Sequence, residues 1–216
     1  ADPVFHRIRF PQNPWHAMTV LCIECSSQLG SVAVLHGGEL IHTAEFESPR
    51  GRGSHLFAHL KSALQHAGPL DAVVVGTGPG GYNGLRVSIS AAWGIARARN
   101  VRLAGVSSLL GYEVPDYFVA GDARAGQWFL AHVQQGTFLS PPQLHSPEDL
   151  RKLFQPGEPV FSTGKLVGFP EAIVRPPSAA VLARRDVLPG HPAPFYLKPP
   201  HITKPVFSPG HRIKNP

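Results

Sequence analysis

The stretch Leu70-Asp-Ala-Val-Val-Val-Gly-Thr-Gly-Pro-Gly-Gly-Tyr-Asn-Gly-Leu-Arg86 decides how the rest of the chain is read. An apolar, β-branched run over 71–75 stops at a loop with five glycines and one proline between Gly76 and Gly84. A helical pattern of small residues over 87–98 follows directly. Strand, glycine loop and helix make an anion-binding corner, because glycines let the chain turn tightly, N–H groups converge, and the helix N-terminus adds partial positive charge. The plain alternative is a tight turn that serves only fold closure, although such a turn rarely needs this many glycines. Gly78, Gly80, Gly81 and Gly84 are therefore the candidate phosphate-loop residues. The same loop matches the dinucleotide fingerprint as Gly76-x-Gly78-x-x-Gly81. That fingerprint needs an acidic residue about 20 positions on, at the end of the next strand. The next strand, Val101-Arg-Leu-Ala-Gly105, carries none, which excludes a nicotinamide site.

The residues before the loop set the fold class. Thr19-Val-Leu-Cys-Ile-Glu-Cys25 reads as a short apolar strand. Ser31-Val-Ala-Val-Leu-His36 alternates and ends at Gly37-Gly38, a hairpin signal, and 39–46 reads as the returning strand. Ser54 suits a helix N-cap, Leu56, Phe57, Leu60, Ala63 and Leu64 recur at helical spacing over 55–67, and Gly68 is the stop. Three antiparallel strands, a helix, a parallel-type strand, a glycine loop and a second helix form the first half of an actin-like/sugar-kinase/Hsp70 (ASKHA) α/β fold. The expected organisation is a leader over 1–17, a first lobe over 18–108, a reduced second lobe over 109–200 and a basic, Pro-rich tail over 201–216.

At this point the residues resemble the TsaB family of bacterial tRNA threonylcarbamoyladenosine biosynthesis proteins. Leu21-Cys-Ile-Glu-Cys-Ser26 is similar to the family's apolar strand ending in Asp-Thr-Ser/Ala. Gly78-Pro-Gly-Gly-Tyr-Asn-Gly-Leu-Arg86 is similar to its Gly-Pro-Gly-Ser-Phe-Thr-Gly-Leu-Arg. His55, Gly105-Val-Ser-Ser-Leu109, Asp122-Ala-Arg124 and Pro194-Phe-Tyr-Leu-Lys198 follow in the family's order, so the resemblance spans about 19–204. It implies a non-catalytic scaffold subunit in the cytoplasm. Its partners would be TsaD, the catalytic paralogue, and TsaE, and it would reach tRNA only through their complex. It implies no cofactor in isolation, with ATP or ADP entering within the complex.

Composition agrees with a soluble, cytoplasmic, membrane-free protein. A chain of 216 residues can bury a substantial core. No apolar run reaches the roughly 18–20 residues that a membrane helix needs. Cys22 and Cys25 have Cys-x-x-Cys spacing, but positions three apart on a strand face opposite sides, so they read as small buried residues rather than a redox or zinc pair. Residues 1–17 lack periodicity and the apolar core of a secretory signal. They read as an upstream extension or added leader, poorly ordered, with the domain starting at Met18.

The net charge of +6 is carried entirely by the C-terminal end. Residues 1–174 hold 13 basic and 13 acidic side chains, whereas 175–216 hold 7 and 1. A basic tail with Lys198, Lys204, Arg212 and Lys214 can follow RNA phosphates, or simply stay solvated. The second half is quieter. It offers a strand over 128–133, a helix opened by Ser146-Pro147-Glu148, a strand over 160–164 and a helix over 178–185. Thr163-Gly164-Lys165 does not satisfy the P-loop pattern, because Leu166 follows the lysine.

No catalytic residue and no metal site is expected. His55 and His59 lie four apart on one helix face, a spacing that can hold a metal, but no third ligand accompanies them. The resemblance places Ser108 and Tyr112 where the catalytic paralogue has its two metal-binding histidines. It also places Glu24 where an aspartate is usual, and the extra methylene shifts the carboxylate by about 1 Å. The expected partner surface is helical, with His55, Phe57, Ser88, Ala91, Ala92 and Trp93 as candidates, and the same face suits a homodimer. The competing reading is an enzyme of the same fold, an ATP-dependent phosphotransferase or a metallopeptidase-like protein. It would require carboxylates for Mg²⁺ and an acidic base at the cleft, for which Glu24 and Asp122 are the candidates. A free-standing nucleotide-binding module rests on the glycine loop alone.

Overall fold

The computed structural model describes residues 17–47, 54–154, 157–187 and 189–198. The expected leader and basic tail fall outside these residues, apart from Ala17. The first sheet has the order β3-β2-β1-β4-β5, built from β1 (Thr19–Glu24), β2 (Leu29–His36), β3 (Glu39–Glu47), β4 (Ala72–Gly76) and β5 (Arg102–Val106). The first three strands are antiparallel, and β4 and β5 run parallel to β1. Between β3 and β4 lies α1 (Ser54–Ala67), and between β4 and β5 lies α2 (Tyr82–Arg99).

Strand periodicity sends alternate side chains to two cores. Leu21, Ile23, Val32, Val34, Val73 and Val75 pack under α1 and α2, while Val20, Cys22, Ala33, Leu35, Ala72 and Val74 face the other way. β1 and β4 are buried on both faces, which is why they read as continuous apolar runs. The same geometry separates the thiols: Cys25 joins the helix-side core and Cys22 the opposite one, and both are free. Asn100 ends α2 in the left-handed region, its N–H returning to the carbonyls of Ala96 and Arg97.

The second sheet repeats the first. Its order is β10-β9-β6-β7-β8, from β6 (Asp116–Asp122), β7 (Trp128–Gln134), β8 (Thr137–His145), β9 (Val160–Ser162) and β10 (Ile173–Val174). β6, β7 and β8 are antiparallel, and β9 and β10 run parallel to β6. Three antiparallel strands followed by two parallel ones on the far side is the topology of the first lobe. The reduction lies in the helices: α3 (Pro147–Lys152) has six residues, and no helix intervenes between β9 and β10. This is the two-lobed ASKHA architecture, with the second lobe shortened.

Several second-lobe elements are invisible to periodicity. β8 contains Pro141 and Pro142, which argue against a strand; it is tolerated because β8 is an edge strand whose register with β7 breaks around those residues. β6, with Gly121 near its end, is likewise missed. The helix expected over 178–185 is the short α4 (Ala179–Leu182). It does not stay with the second lobe. Ala179, Leu182 and Ala183 pack on the first sheet against Val20, Ala33 and Val74, and the Ala179 N–H donates to Ser31 Oγ at 2.9 Å. The span 109–200 is thus not one continuous lobe, because Leu182 finds its apolar partners on the uncovered face of the first sheet. The chain then continues over 190–198 as a strap along the β5 edge. Gly190 N–H donates to the Leu103 carbonyl, and Phe195 N–H donates to the Thr77 carbonyl.

The glycine loop is pressed against the turn after β1. A Cβ on Gly80 would lie 2.2 Å from the Ser26 carbonyl oxygen, and one on Gly84 would lie 2.2 Å from the Cys25 carbonyl oxygen. Gly81 is different. It is the helix N-cap with φ −62°, and a Cβ there would meet nothing closer than 3.6 Å. We expect Gly80→Ala and Gly84→Ala each to cost about 3 kcal/mol, the upper range for overpacking, because the opposing atom is backbone and cannot swing away. Gly81→Ala should cost under about 1 kcal/mol. Denaturant unfolding of the three variants checks this, and equal losses would show that the loop does not pack as described. In the same assay Leu182→Ala should cost about 2–5 kcal/mol, as for a core residue.

Candidate functional site

A cleft of about 1850 Å³ opens between the lobes. It forms at the carboxyl ends of the parallel strands, where chain direction leaves loops rather than helices facing one another. The duplication places corresponding loops on its two sides. The β1–β2 turn (25–28) and the glycine loop (79–84) come from the first lobe, and the β6–β7 turn (121–125) and the β9–β10 loop (162–166) from the second. The strap residues Phe195, Tyr196, Leu197 and Lys198 complete the wall.

At the base of the first lobe, Glu24 is fully buried. Its Oε1 accepts from the Ser26 N–H at 2.5 Å and its Oε2 from the Ser108 hydroxyl at 2.7 Å. A Cβ on Gly76 would collide with Oε2, so the missing side chain there is what admits the glutamate. Burial raises the carboxyl pKa, against the two serine hydrogen bonds that favour the charged form. Ser108 in turn accepts from the Gly78 N–H at 3.0 Å, and the Gly78 carbonyl accepts from Ser107 Oγ and Ser108 N–H, each at 3.0 Å. Gly78 itself has φ +95°. Gly105 is bare because Thr77 and Pro192 of the strap crowd its position. The Gly105-Val-Ser-Ser-Leu109 motif is therefore the clamp that fixes the glycine loop.

The loop consequently has less to offer a phosphate than its sequence suggests. The Gly78 N–H is used by Ser108 and the Gly81 N–H by the Ser26 carbonyl. Gly80 and Gly84 satisfy close packing on the β1–β2 turn. The carboxylate that would hold a divalent cation is enclosed, so these residues do not fit a Mg²⁺–phosphate group. Asp122, the other acid at the cleft, accepts from the Arg124 N–H at 2.7 Å and pairs loosely with its guanidinium.

The metal-ligand positions are also committed elsewhere. Ser108 is part of the Glu24 knot. Tyr112 is buried, stacks on Phe161 and donates to the Arg175 carbonyl at 3.2 Å. His55 is exposed at the cleft, while His59 stacks on Phe46. Among the described residues no three His, Cys, Asp or Glu side chains converge on one point.

The helical candidates divide sharply. Phe57 is 55% exposed, and with Ala91 it lines an apolar groove of about 1030 Å³ between α1 and α2, together with Leu60, Leu64, Gly94 and Ile95. Ser88 and Ala92 do not belong to this surface. Both are fully buried, Ala92 in the core beneath α2 and Ser88 donating to the Leu85 carbonyl. Their small size serves packing onto the sheet, not an exposed approach. Trp93 is outward but off the groove, stacked on His191 of the strap at 5.1 Å.

Sequence reasoning missed the cleft-lining role of Tyr82, Lys165 and Tyr196. Tyr82 and Tyr196 stack at 5.2 Å, and Arg86 donates to the Tyr82 hydroxyl at 2.7 Å. The Phe195-Tyr196-Leu197-Lys198 motif was a usable signal, but only the strap's course shows where it points.

Comparisons with known proteins agree with this arrangement. The chain is 34% identical over 149 residues to an uncharacterized protein of Mycobacterium leprae, covering 63% of this chain and 40% of that protein. It is 28% identical over 131 residues to the tRNA threonylcarbamoyladenosine biosynthesis protein TsaB of Escherichia coli, covering 55% of this chain and 56% of that one. The chain thus spans about half the length of these relatives. Among solved structures, YeaZ from Pseudomonas aeruginosa is similar with TM-score 0.62 and 26% identity, covering 83% of this chain and 100% of that one. The family model described as TsaD, tRNA N6-adenosine threonylcarbamoyltransferase, matches residues 55–178. More than half of the chain thus answers to that family, and the chain belongs to it, on the TsaB side.

Proposed function

We propose that this chain is a non-catalytic subunit, acting in the cytoplasm, that binds TsaD, with TsaE, and supports threonylcarbamoyl transfer to the tRNA adenosine next to the anticodon. The observation that carries the reading is the enclosure of Glu24. A carboxylate at the end of the first strand, if it served phosphotransfer or a metal, would face the cleft; here it is sealed beneath Gly76 and spent on Ser26 and Ser108. Family membership and the names of the homologues support a part in making the modified adenosine, and the closed carboxylate supports a non-catalytic role within it.

The α1/α2 groove supplies the partner surface. It is apolar, it joins two helices that present Phe57, Ala91 and Gly94 to the outside, and small residues let another helix pair approach closely. A second copy of the chain can use the same face when TsaD is absent. Nucleotide enters only within the complex, because the Gly78 and Gly81 N–H groups and the Glu24 carboxylate are engaged internally. The phosphotransferase or metallopeptidase alternative would need Glu24 to leave its buried bonds, which exposes an unsatisfied Ser26 N–H.

Three outcomes follow. The chain alone modifies no tRNA, and activity appears when TsaD, TsaE and threonylcarbamoyl-adenylate are added; modification by the chain alone would overturn the scaffold reading. Phe57→Glu and Gly94→Glu lower capture of TsaD by at least about 10-fold with an unchanged melting temperature, since a buried charge in an apolar contact costs over 1.4 kcal/mol. Glu24→Gln keeps the supported activity and alters the pH profile of stability. A carboxyl with a raised folded pKa contributes stability that is full at acid pH and is lost as pH rises through that pKa. The parent should therefore lose melting temperature on going from mildly acidic to neutral pH, and Glu24→Gln should lose less. A steeper loss in the variant would contradict the buried-acid assignment.

A further inference from the structure

We propose that the mouth of the inter-lobe cleft binds single-stranded RNA, so that this chain touches RNA directly rather than only through a partner. Four cations reach the cleft from four separate segments: Arg86 from α2, Arg124 from the β6–β7 turn, Lys165 from the β9–β10 loop and Lys198 from the strap. Two acids share it, Glu47 and Asp122, and Asp122 is already engaged by Arg124. Lys165 is exposed and has no hydrogen-bond or ion-pair partner among the described residues.

Beside these charges stands an aromatic platform. Tyr82, 45% exposed, stacks on Tyr196 at 5.2 Å with 26° between the rings, and the Arg86 guanidinium carbon lies 5.1 Å from the Tyr82 centroid. Aromatic rings set among spaced cations match a chain of unpaired bases and phosphates, because bases stack on the rings while the backbone follows the charges. The volume of about 1850 Å³ exceeds the roughly 300–1,000 Å³ typical of a single small ligand. A Mg²⁺-bound mononucleotide is further disfavoured by the enclosure of Glu24 and by the engagement of the Gly78 and Gly81 N–H groups. Beyond Lys198 the sequence continues with Lys204, Arg212 and Lys214 and no acidic residue.

This inference goes beyond the scaffold role and does not rest on TsaD binding, so its test uses the full chain alone. Fluorescence anisotropy with a labelled RNA of about 12 nucleotides, at about 50 and 200 mM salt, gives affinity and salt slope. Single-stranded RNA should bind, duplex RNA of the same length more weakly, and ADP should not compete. Single-stranded DNA in a parallel arm shows whether the 2′-hydroxyl contributes, and the proposal requires RNA to bind at least as tightly. Tyr196→Ala should weaken binding about 5- to 150-fold, and Lys165→Ala should reduce the salt slope by about 0.7. Both sit on the surface, and unchanged melting temperatures confirm that each variant folds. A full-length variant with Lys204, Arg212 and Lys214 replaced by serine should retain dependence on Tyr196. Absence of binding at the lower salt, equal affinity for duplex, tighter binding of DNA than RNA, or competition by ADP would each overturn the proposal. So would parent-like affinity of Tyr196→Ala and Lys165→Ala, with all binding lost in the serine variant.

Discussion

The structure depends on one buried carboxylate. Glu24 closes the end of β1, and its two oxygens draw the β1–β2 turn through Ser26 and the segment after β5 through Ser108. Gly76 at the end of β4 lies against it. Three neighbouring parallel strands therefore end at a common point, held by hydrogen bonds to a group that cannot leave without stranding its donors. Ser108 passes the constraint to Gly78, and Gly78 positions the loop that starts α2. The arrangement that fixes the loop before α2 is thus the one that encloses the acid.

Duplication of the five-stranded topology makes the consequences asymmetric. Each lobe contributes the turn after its first strand and the loop after its fourth to the cleft. The first lobe keeps two long helices, while the second keeps a single short helix between strands. The exposed apolar groove between two long helices therefore lies on the first lobe. On α2, Ser88 and Ala92 are buried against the sheet while Gly94 is exposed, so small residues serve two different environments on one helix. The C-terminal strap then joins the halves. Leu182 and Pro192 pack on the first lobe, and the Lys198 ammonium donates to the Arg124 carbonyl of the second at 2.7 Å. Tyr196 reaches the cleft because the strap must pass the bare Cα of Gly105 to get there.

What the sequence by itself determined is local. Runs such as 71–75, the alternation over 31–36, the helical spacing over 55–67 and the order of these signals specified the first lobe and its class, because strand and helix periods are written in neighbouring residues. The opposite facing of Cys22 and Cys25 follows from the same period. The motifs around Gly78 and Ser107 were visible too, although a glycine string does not say whether its purpose is a phosphate or a neighbouring backbone. Only the tertiary structure decided that. Gly80 is small because of the Ser26 carbonyl, Gly76 because of Glu24 and Gly105 because of Pro192, partners that lie 52 to 87 positions away in the chain. β8, with its adjacent prolines, and the docking of α4 on the other lobe escaped for the same physical reason. Edge position and long-range burial override local propensity, and neither is encoded within the window of residues that carries a periodic signal.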